Sequence, residues 1–346
     1  MIKVTSTCFL LTVLLNSSVV LARPYEGALI DAHNQFGCDI SEAEVAEILS
    51  KSSVNFTLLS VREACDKKNR ADGVKRVQAV QQLLSDRVGL LIPTKIGGNR
   101  GISLKGQQVI QDLDKTFGES AHGFAEIIIQ HPEHNYKNNV AKGTLTTINS
   151  SEARFLIDVV RSRAKPIILH IELRDFPSLA SSTIEDLKAL LEQVSPHPVV
   201  LIHMGQANPE IASTLLTSHA NLFFLLSTAD PIAQRGIERR LSSGEKAQEG
   251  WINVFHEQER VISPKRLDDF VSKLRWKEDW RSLIVKHPSK FIFAIDSVYR
   301  DPWTKSHSMK VQLWRKALGD LPIEVAERVA CGNAKALWSL PVNCTH

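Results

Sequence analysis

Eight short apolar runs recur along the chain: Ala28–Ala32, Val54–Ser60, Val88–Pro93, Gly123–Gln130, Pro166–Ile171, Pro198–Met204, Asn221–Ser227 and Lys290–Ile295. Most are continuous rather than alternating, the pattern of parallel strands covered on both faces. Between them lie stretches with apolar residues at helical spacing. Ser41–Ser50 opens on Ser-x-x-Glu, as a capping box would. Gly73–Leu84, Gln107–Phe117, Glu152–Arg163, Ile184–Val194, Glu210–Ser218, Leu267–Ile284 and Met309–Leu318 follow, and Ile323–Leu337 closes the series. Strands each followed by a helix predict an α/β protein, a (β/α)8 TIM barrel. A doubly wound sheet shares the pattern, but no glycine-rich phosphate loop follows any strand. No internal repeat or Pro/Ser-rich linker divides residues 23–346, which read as one domain. The interval from Ser227 to Lys290 is too long for one helix. Residues 230–264 therefore read as an extended loop between strands 7 and 8, on the face where barrel loops build active sites. A lid or specificity loop, a decorative insertion and an oligomer contact all suit it.

Residues 1–22 stand apart. Lys3 precedes the apolar stretch Cys8–Leu15, and Val20-Leu21-Ala22 offers small residues around a cleavage point. This predicts a secretory signal peptide, too short in its apolar run for stable membrane insertion, and hence export to a periplasm or the cell exterior. Four cysteines remain beyond it, Cys38, Cys65, Cys331 and Cys344. An even number in an exported chain suggests disulfides. The strand reading sets Cys38 and Cys65 beyond neighbouring strand ends, and the other two lie close together, so 38–65 and 331–344 are the expected pairs. No Cys-x-x-Cys occurs. Lys and Arg total 42 against 38 Asp and Glu, a net charge of +4. Without a run of five like charges, this argues against a nucleic-acid partner. The aromatic fraction of 6% and a mean hydropathy of −0.11 together exclude a polytopic membrane protein. Asn55, Asn149 and Asn343 carry glycosylation sequons, Asn55 within a strand expected to be buried.

Polar residues at the predicted strand ends carry the candidate chemistry, because a barrel strand is a costly place for an unpaired polar group. Strand 1 ends in Asp31-Ala32-His33-Asn34-Gln35, strand 5 holds His170, strand 6 His203 and strand 8 Asp296. In a barrel these four ends converge at one mouth, and imidazole with carboxylate suits zinc or a similar divalent ion. Each alone is commonplace: a core histidine, or an aspartate that caps the next helix. Glu126 lies within strand 4 and suits a residue that orients a ligand histidine, an alternative ligand, or a buried ion pair. His131-Pro132-Glu133-His134 has ligand-like spacing, but its proline breaks a common helical face. It reads as a substrate-loop or surface segment. Arg174, Arg235 and Arg300 fall in loops on the same side and suit a substrate carboxylate, or surface ion pairs. Trp303 suits a pocket wall or the core.

These residues resemble the amidohydrolase superfamily, in the branch that includes the aminocarboxymuconate-semialdehyde decarboxylase type. Ile30-Asp31-Ala32-His33 is similar to the strand-1 signature Asp-x-His-x-His, and His170, His203 and Asp296 match the strand-5, strand-6 and strand-8 positions. The segment Leu321-Pro322 through Leu337 resembles the branch's closing helix. Gln35 departs from the pattern, standing where a second histidine is usual. The resemblance implies one divalent metal, zinc or manganese, held by His33, Gln35, His170 and Asp296, or a site that has lost tight binding. It also implies that Asp296 acts as general base on an activated water and that His203 polarises the substrate carbonyl. The expected activity is hydrolysis of a C–N or C–O bond in a small metabolite. A noncatalytic barrel binding ligands or partners, and a metal-dependent decarboxylase or lyase, are the alternatives. A homo-oligomer is left open.

Overall fold

The computed structural model describes residues 23–62, 65–66, 71–94, 104–136, 139–141, 143–232, 237–240, 252–256 and 267–344. The expected signal peptide, Arg235 and most of 230–264 lie outside them. The strands are β1 (Ile30–Phe36), β2 (Phe56–Val61), β3 (Val88–Ile92), β4 (Gly123–Phe124), β5 (Ile127–Ile128), β6 (Gln130–His131), β7 (Glu133–Tyr136), β8 (Asn139–Ala141), β9 (Thr144–Leu145), β10 (Ile167–His170), β11 (Val199–Leu201), β12 (Leu222–Leu225), β13 (Ile237–Arg240) and β14 (Phe291–Ile292). The α-helices are α1 (Glu42–Lys51), α2 (Asp72–Leu84), α3 (Leu104–Phe117), α4 (Ser151–Ser162), α5 (Ala180–Val194), α6 (Pro209–Ser218), α7 (Leu267–Ser272), α8 (Glu278–Lys286), α9 (His307–Gly319), α10 (Ile323–Glu327) and α11 (Asn333–Trp338).

Two parallel sheets carry the fold. One runs β1-β2-β3-β4, the other β14-β12-β11-β10-β5. The expected strand Gly123–Gln130 is broken, because it changes partner midway. Gly123 and Phe124 pair with Leu91 and Ile92, whereas Ile127 and Ile128 pair with Leu169 and His170. At the other edges, Ala32 N donates to Phe293 O and Asp296 N to His33 O. Asp31 reinforces this seam, its Oδ1 accepting Ile295 N at 2.9 Å.

Burial follows the strand alternation. Ile30, Phe56, Leu58, Leu91, Ile168 and Val200 belong to one apolar cluster together with Leu225 and Ile292. Cys331, Ala334 and Trp338 of the closing helical segment join that cluster. The intervening residues, among them Leu59, Leu90, Leu169, Leu201 and Phe224, pack instead with the helix faces in a larger core. α1 starts at the predicted capping box: Glu44 N donates to Ser41 Oγ, and Ser41 N to Glu44 Oε2 at 3.2 Å. Both expected disulfides are formed, Cys38–Cys65 and Cys331–Cys344.

The helix expected over Leu267–Ile284 is two helices. Around Trp276 the backbone turns to pair with residues 254–256: His256 N donates to Arg275 O and Lys277 N to Val254 O. Trp276 is buried against Phe255 and Trp314, an aromatic packing that outweighs helical propensity. The last helix, expected to be continuous, is interrupted by a π-turn at Arg328–Gly332, where Phe293 N reaches Val329 O. Asn55 is exposed, not buried, and its Oδ1 accepts Leu29 N. Of the expected insertion, β13 pairs antiparallel with β7, which pairs with β8, so loops following strands 4 and 7 share a small sheet. Among the described residues no helix is long and apolar enough to cross a membrane.

Candidate active site and metal centre

The alternation that fills the barrel-like core continues one step beyond it. Phe56 and Leu58 lead through Ser60 to Arg62; Ile168 leads to His170; Ile292 and Ala294 lead to Asp296. β1 has an irregular register between Asp31 and Asn34. Arg62, Glu126, His170, Glu172, His203 and His33 are all at most 6% exposed, and Asp296 is 8% exposed.

Glu126 is the hub. Its Oε2 lies 2.6 Å from His170 Nδ1. Its Oε1 accepts Arg62 Nη1 and Gln35 Nε2, both at 3.3 Å. Burial raises the carboxyl pKa, but the charges of His170 and Arg62 together prevail and bring it well below the usual value. The second ring nitrogen of His170 lies 2.7 Å from Glu172 Oε1, so both its nitrogens face carboxylates. His131, expected on a substrate loop or the surface, is buried with its ring 4.8 Å from that of His170. The ring of His203 lies 4.9 Å from that of His170, edge to face.

Gln35 does not present its carbonyl as a ligand. Its Nε2 bridges two carboxylates, donating to Glu126 Oε1 and, at 3.1 Å, to Asp296 Oδ1. The same Oδ1 is 3.6 Å from His33 Nδ1, and Asp296 Oδ2 is 3.6 Å from His203 Nε2. His33 is fully buried, and neither of its ring nitrogens has a hydrogen-bond partner among the described residues.

His203 Nδ1 faces the carbonyl of Ser227 at 3.1 Å and the hydroxyls of Ser227 and Thr228 at 3.0 and 2.9 Å. The carbonyl only accepts, whereas either hydroxyl can donate, so these partners suit Nδ1 both with and without its proton. Burial, with His170 nearby, pushes the His203 pKa down to about 4, Asp296 pulling the other way. Burial likewise pushes Asp31 up to about 7. Strain collects here. His203, Met204 and Gln206 have φ of +53°, +54° and +52°, and Thr228 and Asp296 have +56°. Left-handed backbone costs a non-glycine residue about 1–2 kcal/mol, and such positions gather where surrounding structure fixes them for a task.

Imidazole and carboxylate donors gather in two groups with ligand atoms within 4.8 Å of one another, Glu126–His170–His203 and His131–His170–Glu172. This donor chemistry fits a divalent ion. Of the expected substrate arginines, Arg300 pairs with Glu44 and its backbone N–H with Asp39, while Arg174 is half-buried beside a separate cavity. Trp303 is buried and donates to Gln35 O. Arg62, Glu172 and His131 escaped the sequence reading as site members. For Arg62 the signal was present, as the next inward position after Phe56, Leu58 and Ser60.

No family model matches the chain, and no curated protein matches it. Solved structures do. A dihydroorotase aligns over 91% of this chain and 69% of its own, at 10% identity and a TM-score of 0.50. A probable 2-pyrone-4,6-dicarboxylic acid hydrolase from Acinetobacter baumannii, solved with citric acid, aligns over 90% and 99% at 12% identity and a TM-score of 0.48. An amidohydrolase from Burkholderia multivorans with bound zinc aligns over 91% and 100% at 11% identity and a TM-score of 0.46. The solved structures this chain resembles are members of the amidohydrolase superfamily, and the likeness is one of fold.

Proposed function

We propose that this chain is an exported, metal-dependent hydrolase of a C–N or C–O bond in a small metabolite, working at the mouth of a closed (β/α)8 barrel. The observation that carries the reading is His33: an imidazole buried with neither nitrogen partnered among the described residues, next to a carboxylate that also faces His203. Most buried polar groups in native proteins have a partner, and an ion is the partner that the neighbouring carboxylate and imidazoles suit here. His33, His170 and Asp296, with Glu126 and His203 beside them, would hold the ion; zinc suits these donors first and manganese second. Such an ion would supply a water acidified toward neutrality. Two disulfides support an oxidising compartment.

Asp296 is the general base that accepts the proton of the attacking water. Glu126, its charge held by Arg62 and His170, stays an acceptor and fixes the histidine. His203, which faces Asp296 through Nε2, polarises the substrate carbonyl, and Arg62, whose Nε has no partner among the described residues, is a second donor for it. A guanidinium stabilises the developing oxyanion in a site shielded from water. The products are a carboxylate and an amine or alcohol.

One observation favours a second reading. The Nε2 of Gln35 already satisfies Glu126 and Asp296, as a cation would, which suits a noncatalytic barrel that binds ligands or partners. A panel of amides, esters and lactones, assayed with zinc or manganese, separates the two. Turnover that Asp296→Asn abolishes in a folded protein supports the hydrolase; turnover indifferent to that change overturns the base assignment. Release of carbon dioxide instead of a hydrolysis product would mark a decarboxylase.

A further inference from the structure

Beside the polar cluster lies a separate cavity of about 470 Å³, within the ordinary range of small-molecule sites. Its apolar wall is Leu173, Ile211, Ile252 and Trp280. Its polar lining is biased toward donors. Arg174 and Lys277 bring cationic groups. Asn208 and Asn253 also line it, and each has its carbonyl oxygen engaged, Asn208 Oδ1 by Ile211 N and Asn253 Oδ1 by Phe255 N. What each asparagine has left is its NH₂, and Asn253 is 6% exposed with no partner on that nitrogen among the described residues. Gln206 is fully engaged, accepting Ile252 N and donating to His203 O. The one carboxylate in the lining, Asp279, is exposed and accepts Trp280 N.

We propose that this cavity, whose lining shares no residue with the polar cluster, is a second ligand site for a small carboxylate with an apolar body. The carboxylate meets Lys277, Arg174 and the free asparagine amides, and the body lies on Trp280 and Ile252. Charged donors in a partly desolvated site discriminate strongly for an anion over its neutral isostere.

Isothermal titration of the mature protein with 3-phenylpropionate, and with its uncharged amide, tests this. Saturable binding of the acid, at least about tenfold tighter than the amide, is expected. Lys277→Gln alters a half-exposed side chain that makes no cap bond, and should weaken the acid about tenfold without affecting the amide. Ala180→Phe, on the lining, should remove both. Asp296→Asn should leave both intact. Acid and amide binding alike, no saturable binding, or binding lost in Asp296→Asn but indifferent to Lys277→Gln and Ala180→Phe would overturn the assignment. Because the readout is binding at residues outside the polar cluster, it stands or falls independently of hydrolysis.

Discussion

Gln35 and Asp296, from opposite ends of the chain, meet through a hydrogen bond of 3.1 Å in which the amide nitrogen donates. The same nitrogen reaches Glu126, so one neutral side chain holds two buried carboxylates together. Gln35→Glu would replace that donor by a third carboxylate. The metal-free variant should lose stability, by roughly 3–5 kcal/mol for an uncompensated buried charge. Zinc or manganese should restore it, because a ligand bound only by the folded state stabilises by mass action. Thermal melts with and without metal check this; a variant whose melting temperature ignores both ions would show that no ion reaches these carboxylates.

Glu126 is the acceptor for Arg62 and His170, both nearly inaccessible. Glu126→Gln keeps the shape but leaves the guanidinium without its counter-charge. A loss of about 3–5 kcal/mol in urea titration is expected, the cost of breaking a buried pair by removing one partner. A loss below about 1 kcal/mol, the level of a surface pair, would mean that solvent reaches the cluster.

The mouth was legible where a single chemical type follows an apolar run, as His170, His203 and Asp296 do. It was not legible where partnership decides the role. Nothing in the sequence indicates that Gln35 turns its nitrogen inward, or that His170 lies between Glu126 and Glu172, because those are consequences of three strands meeting. Arg62 was overlooked because an arginine at a strand end reads as a surface residue, although its inward phase with Phe56 and Leu58 was available. The split of the Leu267–Ile284 segment was invisible for a similar reason: Trp276 finds Phe255 and Trp314 only in the folded chain. The strand periodicity and the two disulfides, by contrast, needed only local pattern and the order of strands.

His307 offers a test of burial without the complication of the mouth. It stacks on Trp303 at 5.0 Å, its Nδ1 has no partner among the described residues, and burial pushes its pKa down to about 3, with Lys310 adding to the effect. The unfolded histidine takes up its proton near pH 6.5, the folded one only near 3. Between those values the unfolded state binds one more proton, so stability falls as the pH falls, by about 1.4 kcal/mol per pH unit. His307→Phe keeps the stacking and removes the proton. Its urea-unfolding free energy should be less steep in pH by one proton over that window, and higher than wild type at pH 4. An unchanged slope would refute the buried neutral state.

The Cys331–Cys344 bond anchors the C-terminal tail to the π-turn beneath the strands, where Cys331, Ala334 and Trp338 cover one end of the inner apolar cluster. Cys344→Ser should lower stability by about 2–4 kcal/mol, as for a short closed loop. Wild-type protein under reducing conditions should show a larger shift, because the Cys38–Cys65 bond opens as well. Thermal melts that coincide before and after reduction would mean the tail contributes nothing to the plug.

The most direct measurement is the metal content of the protein purified without chelators or a histidine tag, by elemental analysis. About one zinc or manganese per chain is expected, in line with a single seat built from three or four donors, and His33→Ala should lose it. Protein that carries no divalent ion, takes none up on dialysis against either metal, and shows no difference between wild type and His33→Ala would contradict a metal-dependent site at this mouth.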